Sequence, residues 1–227
     1  SDEDLAFFLE HKDDQVYIME EYVRGYVQTY DAIVDSKGQP LFESGNITPF
    51  SLMDTVNDNL DSVYYLVKDL PENIRSAGLR TVRSFGVKSR FIHLEFFILS
   101  EDQEGLGKAG DVLGLEVNMR PAGGYTPDMY NYSQETDVYK IWADMVCFDT
   151  NTKPTGKHHF CAFYGRRDGN HYRLDDYEIM MKYAGHIVMN GRIPDALSGA
   201  MANQMYVGNF DTEAEMQEFY RDLSDRL

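Results

Sequence analysis

The stretch Arg90-Phe91-Ile92-His93-Leu94-Glu95-Phe96-Phe97-Ile98-Leu99 decides how this chain is read. Ile92, Leu94, Phe96 and Ile98 alternate onto one face, with His93 and Glu95 on the other. Twelve residues on, Asp111-Val112-Leu113-Gly114-Leu115-Glu116-Val117-Asn118 repeats the pattern. There Leu113, Leu115 and Val117 share one face, and Glu116, Asn118 and Arg120 the opposite one. Side chains of a strand change face at every residue. Two neighbouring antiparallel strands therefore gather Glu95, Glu116 and Asn118 on the face away from the packed layer. Two carboxylates and an amide oxygen form a hard-oxygen set suited to Mg²⁺, and Mn²⁺ has similar tastes. Carboxylates that close repel one another unless a cation lies between them. Arg120 adds a fixed positive charge of the kind phosphoryl chemistry uses.

The rest of the chain reads as α+β. Ser1-Asp2-Glu3-Asp4 caps an amphipathic helix ending near His11. Val16–Val23 and Tyr26–Val34 are rich in β-branched and aromatic residues and predict a hairpin turned at Arg24-Gly25. Pro40–Ser44 is a third strand, and Ser62–Val67 a helix or a strand. Pro71 opens a helix that runs to about Phe85 and stops at Gly86. Farther on come a helix over Thr136–Cys147 and a hairpin of Lys157–Gly165 with Asn170–Arg173, turned at Asp168-Gly169. A helix at Asp175–Tyr183, a strand at Met205–Gly208 and a helix at Thr212–Leu223 complete the list. Strands and helices do not alternate strictly, which points to α+β rather than a doubly wound sheet. A subdomain boundary falls near 125–135, giving domains of 1–130 and 131–227.

Composition narrows the function. The 227 residues carry a net charge of −17, a mean field that repels nucleic acid and anionic membranes alike. No apolar run approaches the roughly 20 residues needed to span a bilayer, and the acidic N-terminus lacks the basic and apolar regions of a signal peptide. Cys147 and Cys161 are expected as free thiols in a cytoplasmic protein. Gly105-Leu106-Gly107-Lys108-Ala109-Gly110 spells the dinucleotide fingerprint, but between two strands it reads as a hairpin connection. His158, His159 and Cys161 lack a fourth ligand at zinc spacing. Arg75, Arg80, Arg83, Lys88 and Arg90 form a basic island without an acid, read first as a solvated helix face.

Taken together, Glu116-Val117-Asn118-Met119-Arg120-Pro121 with Gly123-Gly124, preceded by Phe91-Ile92-His93-Leu94-Glu95-Phe96-Phe97, resembles the metal-binding strands of the ATP-grasp superfamily. Met19-Glu20-Glu21-Tyr22-Val23-Arg24-Gly25 is similar to that family's adenine-side hinge strand. Tyr30-Asp31-Ala32 follows as in relatives of the carbamoyl phosphate synthase large subunit and biotin carboxylase. The resemblance covers roughly residues 1–130. It implies an ATP-grasp-like antiparallel sheet packed with helices, here the C-terminal half of the domain, plus a smaller C-terminal α+β lobe.

By the same resemblance Glu95, Glu116 and Asn118 hold Mg²⁺, and Arg120 touches the transferring phosphate. The backbone of Glu21 and Val23 pairs with the adenine edge, flanked by Glu20 and Tyr22. Such enzymes phosphorylate a carboxylate with ATP and let an amine or another nucleophile attack the acyl phosphate. The implied partners are a small-molecule carboxylate, a nucleophile and an N-terminal part of the same protein, so this portion is expected to be inactive alone. Two positions depart from the family: Val27 stands where many relatives place a ribose-binding glutamate, and His93 where some ligases have arginine. Val27 keeps a second reading open, a non-catalytic ATP-grasp-like module that binds nucleotide or a partner.

Overall fold

A computed structural model describes residues 1–49 and 60–227. Its elements run α1 (Asp2–His11), β1 (Gly25–Val34), β2 (Pro40–Ser44), β3 (Asn46–Thr48), β4 (Ser62–Leu66), α2 (Glu72–Ser84), β5 (Arg90–Leu99) and β6 (Val112–Asn118). Then follow α3 (Thr126–Ser133), α4 (Val138–Phe148), β7 (Phe160–Arg166), α5 (Asp176–Lys182), β8 (Ile187–Arg192), α6 (Asp195–Met201), β9 (Gln204–Phe210) and α7 (Glu213–Ser224). All nine strands join one antiparallel sheet in the order β6-β5-β1-β3-β4-β7-β9-β8, with β2 also on β1. The architecture is α+β, as expected. The β4–β7 ladder ties the residues before 130 to those after them.

Helices cover both faces of the sheet. On one face, α2 packs Ile74, Ala77 and Val82 against Tyr30, Ala32, Val34, Ile92, Leu94 and Phe96. Full burial of an aliphatic side chain such as Ile74 contributes about 2 kcal/mol. Farther along that face, α5 and α7 cover β7 and β9 through Ile179, Met216, Phe219 and Leu223. On the opposite face α3 and α4 bury Met129, Tyr130, Ile141 and Met145 against Ile33, Phe91 and Phe163. That cover reaches β1 and β5 at Ile33 and Phe91, whereas Glu116 of β6 on the same face is exposed.

Local chemistry sets the element boundaries. Capping boxes pair Ser1 with Asp4, Asp175 with Glu178 and Thr212 with Glu215, each at the start of a helix predicted there. Gly25 opens β1 where a Cβ would stand 2.4 Å from the carbonyl oxygen of Ile98, so only glycine lets β1 and β5 pair from their ends. The glycine-rich run 105–110 does connect β5 to β6.

Several expectations need correction. Val16–Val23 is not a strand: Val16, Ile18 and Met19 are exposed, and residues 16–23 lie outside regular structure. β1 already has β5 on one flank and β2 and β3 on the other, leaving no edge for a hairpin partner. Asn170–Arg173 fails for the same reason, because β7 lies between β4 and β9. The helix expected over Thr136–Cys147 is α4, with Asp137 capping it by accepting from Lys140 N. α3, β3, β8 and α6 were not anticipated, and Ser62–Leu66 resolves as a strand. Both cysteines are free thiols, Cys147 exposed and Cys161 buried. No helix among the described residues is long and apolar enough to cross a membrane.

Candidate nucleotide and metal site

The site lies on β1, β5 and β6, on the same face as α3 and α4, and opens to solvent at Glu116. Register brings Glu95 opposite Glu116, and His93 opposite Asn118. On the other side of β5, Thr29 faces Glu95 and Asp31 faces His93. Two polar rows therefore cross the sheet, Thr29–Glu95–Glu116 and Ser44–Asp31–His93–Asn118. The spacing argument for Glu95, Glu116 and Asn118 holds. It fails for Leu113, because a bulge at Leu115 turns Leu113 to the Glu95 side, opposite Phe97. Glu116 is exposed and Glu95 half-buried.

Asp31 and Thr29, which the sequence reading left without a role, organise the interior of the site. Asp31 is fully buried; its Oδ2 accepts from Thr29 Oγ1 at 2.5 Å and its Oδ1 from His93 Nδ1 at 2.5 Å. His93 Nε2 donates to Glu95 Oε1 at 3.0 Å. Burial alone would lower the His93 pKa, but the Asp31 charge, helped by the hydrogen bonds to Asp31 and Glu95, raises it to about 10. His93 is therefore an imidazolium at neutral pH. Glu95 is held below the usual carboxylate range, first by its bond from His93 and also by Arg120, while burial opposes the shift. The signal for Thr29 and Asp31 was present as two polar residues at i and i+2 in an apolar strand, in phase with His93 once the register is known.

The donor set fits a divalent ion. Asn118 Nδ2 is buried with no partner among the described residues. A half-turn of the amide about χ2 aims its oxygen, an acceptor, into that same spot. Two carboxylates and one amide oxygen suit Mg²⁺, which keeps several waters or phosphate oxygens of its own. No group of three His, Cys, Asp or Glu side chains positioned for a metal occurs among the described residues, so this set depends on Asn118 and on ligands from outside the chain. Arg120 lies beyond β6, exposed, with Nη1 donating to Pro121 O at 3.0 Å.

Glu20, Glu21, Tyr22 and Val23 form an extended segment leading into β1. Glu20, Glu21 and Tyr22 are exposed, and Val23 is half-buried. Among the described residues no hydrogen bond engages the backbone of Glu21 or Val23. The segment is anchored just beyond them, where Gln103 Nε2 and Ser100 N both donate to Arg24 O. Part of the basic island is structural: Arg75 pairs with Glu43 at 3.0 Å, and Arg80 donates to Ser76 Oγ.

Solved structures share this architecture. The chain is similar over 90% of its length to the L-amino acid ligase from Bacillus licheniformis, with a TM-score of 0.61 and 15% identity, covering 51% of that chain. Over 89% it is similar to phosphoribosylglycinamide synthetase from Anaerococcus prevotii, with a TM-score of 0.59 and 13% identity, covering 52% of that chain. Over 90% it is similar to N5-carboxyaminoimidazole synthetase from Staphylococcus aureus complexed with ADP, with a TM-score of 0.56 and 10% identity, covering 51% of that chain. The chain has the ATP-grasp fold. It spans about half the length of these ATP-grasp structures. No family model matches the sequence, and no curated protein matches it.

Proposed function

We propose that this chain is the nucleotide- and Mg²⁺-binding part of an ATP-dependent carboxylate ligase similar to carbamoyl phosphate synthase and biotin carboxylase relatives. The observation that carries the reading is the register that sets Glu95 against Glu116, with Asn118 one row away on the same face. One structure of this fold is an ADP complex, which supports a nucleotide here. The peptide groups of Glu21 and Val23, unpaired among the described residues, would meet the adenine edge, between Glu20 and Tyr22. Glu95, Glu116 and Asn118 would hold Mg²⁺, or Mn²⁺ in its place. An ion held there would supply positive charge against the negative charge that develops in phosphoryl transfer. Arg120, fixed in charge and free to turn toward solvent, would bind an oxygen of the phosphate or acyl phosphate. Glu95, ionised well below neutral pH, would be ready to take the ion without first losing a proton.

Ligation itself, with a small carboxylate acid and an amine or similar nucleophile, is proposed for the whole protein, since the chain spans half of its structural relatives. The test is ADP release by the whole protein across a panel of carboxylates and amines, with Glu116→Gln alongside. Turnover abolished in the variant supports the reading; turnover unchanged refutes it. Val27, half-buried on β1 opposite Phe97 and Thr48, favours one alternative, a module that binds nucleotide or a partner without turnover. That alternative predicts Mg²⁺-dependent nucleotide binding with no ADP release on any substrate.

A further inference from the structure

One line of hydrogen bonds reaches Glu95 from the interior of the sheet. The backbone N–H of Asn46 donates to Thr29 Oγ1 at 2.9 Å, so that hydroxyl directs its own proton to Asp31 Oδ2. Asp31 Oδ1 then takes the Nδ1 proton of His93, and His93 Nε2 is turned to Glu95 Oε1. The line starts on a main-chain donor that cannot rotate and passes through Thr29, Asp31 and His93, all buried. It crosses three strands, β3, β1 and β5. Each member has one role open to it, so the rotamer of Glu95 is set three residues away from the carboxylate itself. Among the described residues nothing donates to Glu95 Oε2, which is left for another ligand.

The geometry points to Thr29, Asp31 and His93 as positioning residues that fix one oxygen of Glu95 so that the other is presented in a set direction to a divalent ion. This rests on the metal reading above and deepens it. Groups that orient a metal ligand from behind typically hold about ten- to a hundredfold in affinity. The His93 charge complicates that signature, because removing a cation beside the site favours any metal. A ratio removes the complication. Mg²⁺ and Ca²⁺ carry equal charge, but Mg²⁺ demands near-octahedral geometry and Ca²⁺ tolerates irregular cages. A charge effect moves both affinities by one factor, whereas lost positioning penalises Mg²⁺ more.

The experiment measures Mg²⁺ and Ca²⁺ affinity of the chain by competition with Mn²⁺, read by the electron paramagnetic resonance of free Mn²⁺. His93→Leu is expected to lower the preference for Mg²⁺ over Ca²⁺ by about tenfold. His93→Gln, whose amide still donates to Glu95, is expected to recover most of it. Thr29→Val keeps charge and shape while cutting the line at its start, and is expected to shift the ratio the same way by a smaller factor. Should His93→Leu fail to fold, Thr29→Val decides alone. A ratio unchanged in the folded variants overturns the positioning role while leaving the metal site standing. A wild-type chain that binds neither ion overturns the metal reading and this inference with it.

Discussion

Gly78→Ala tests how α2 is seated on the strand that carries Asp31. Gly78 lies in the middle of α2, and a Cβ there would stand 2.2 Å from Cγ of Tyr30, with both Cδ atoms within 2.7 Å. Carbon contacts want roughly 3.5–4 Å, so helix and ring must separate by more than about 1 Å. The ring has nowhere to go: Tyr30 is fully buried, and its hydroxyl donates to Glu43 Oε1 at 2.9 Å. Glu43 in turn holds Arg75 of the same helix at 3.0 Å. Overpacking of this kind costs about 1–3 kcal/mol, and a strained hydrogen bond to a carboxylate adds about 1 kcal/mol. Against this, alanine is about 1 kcal/mol better than glycine in a helix interior. The net expectation is about 2 kcal/mol of destabilisation, or about 4–8 °C in Tm for a chain of this size. Urea unfolding followed by circular dichroism measures it. Gly199→Ala, in α6 with nothing within 4 Å of the added carbon, is the control and is expected to be neutral or stabilising. A Gly78→Ala protein as stable as wild type would refute the close seating of α2.

Other predictions follow from the polar interior. His93 has its pKa raised to about 10 in the fold, so its contribution is complete below about pH 6.5 and lost as pH climbs toward 10. In metal-free urea unfolding, the stability advantage of wild type over His93→Gln should shrink across that window; an advantage that grows with pH would contradict the Asp31–His93 pair. Asp61 is buried and accepts from Tyr164 Oη at 2.9 Å, Tyr172 Oη at 2.6 Å and Arg226 Nη2 at 3.1 Å. Asp61→Ala leaves those donors without their acceptor and should cost about 3 kcal/mol, read as a shift of the urea midpoint. Arg120→Ala should leave that midpoint unchanged, since the side chain is exposed and bonds only to Pro121 O among the described residues, while weakening binding of an ATP analogue.

The legible part of the fold was whatever depends on one strand or one helix. Alternation fixed β5 to the residue, and it placed β6 correctly apart from the bulge at Leu115. The expected helices α1, α5 and α7 each open on a capping box, a local interaction between residues three apart. Neighbours were not legible. Val16–Val23 has the composition of a strand, yet one flank of β1 is filled by β2 and β3 and the other by β5, far away in sequence. Asn170–Arg173 loses its place beside β7 to β4 and β9 in the same way. The site divides along the same line. Glu95, Glu116 and Asn118 follow from period two within a single hairpin, whereas Asp31 and Thr29 reach His93 and Glu95 only through the β1–β5 register, across some sixty residues of chain.

The most direct test of the central claim is equilibrium binding of a non-hydrolysable ATP analogue to the whole protein and to this chain, with and without Mg²⁺, beside Glu95→Gln and Glu116→Gln. The account predicts Mg²⁺-dependent binding by the whole protein that either substitution weakens severely while the fold stays intact. Binding that ignores both Mg²⁺ and the two substitutions, or no binding at all, would contradict it.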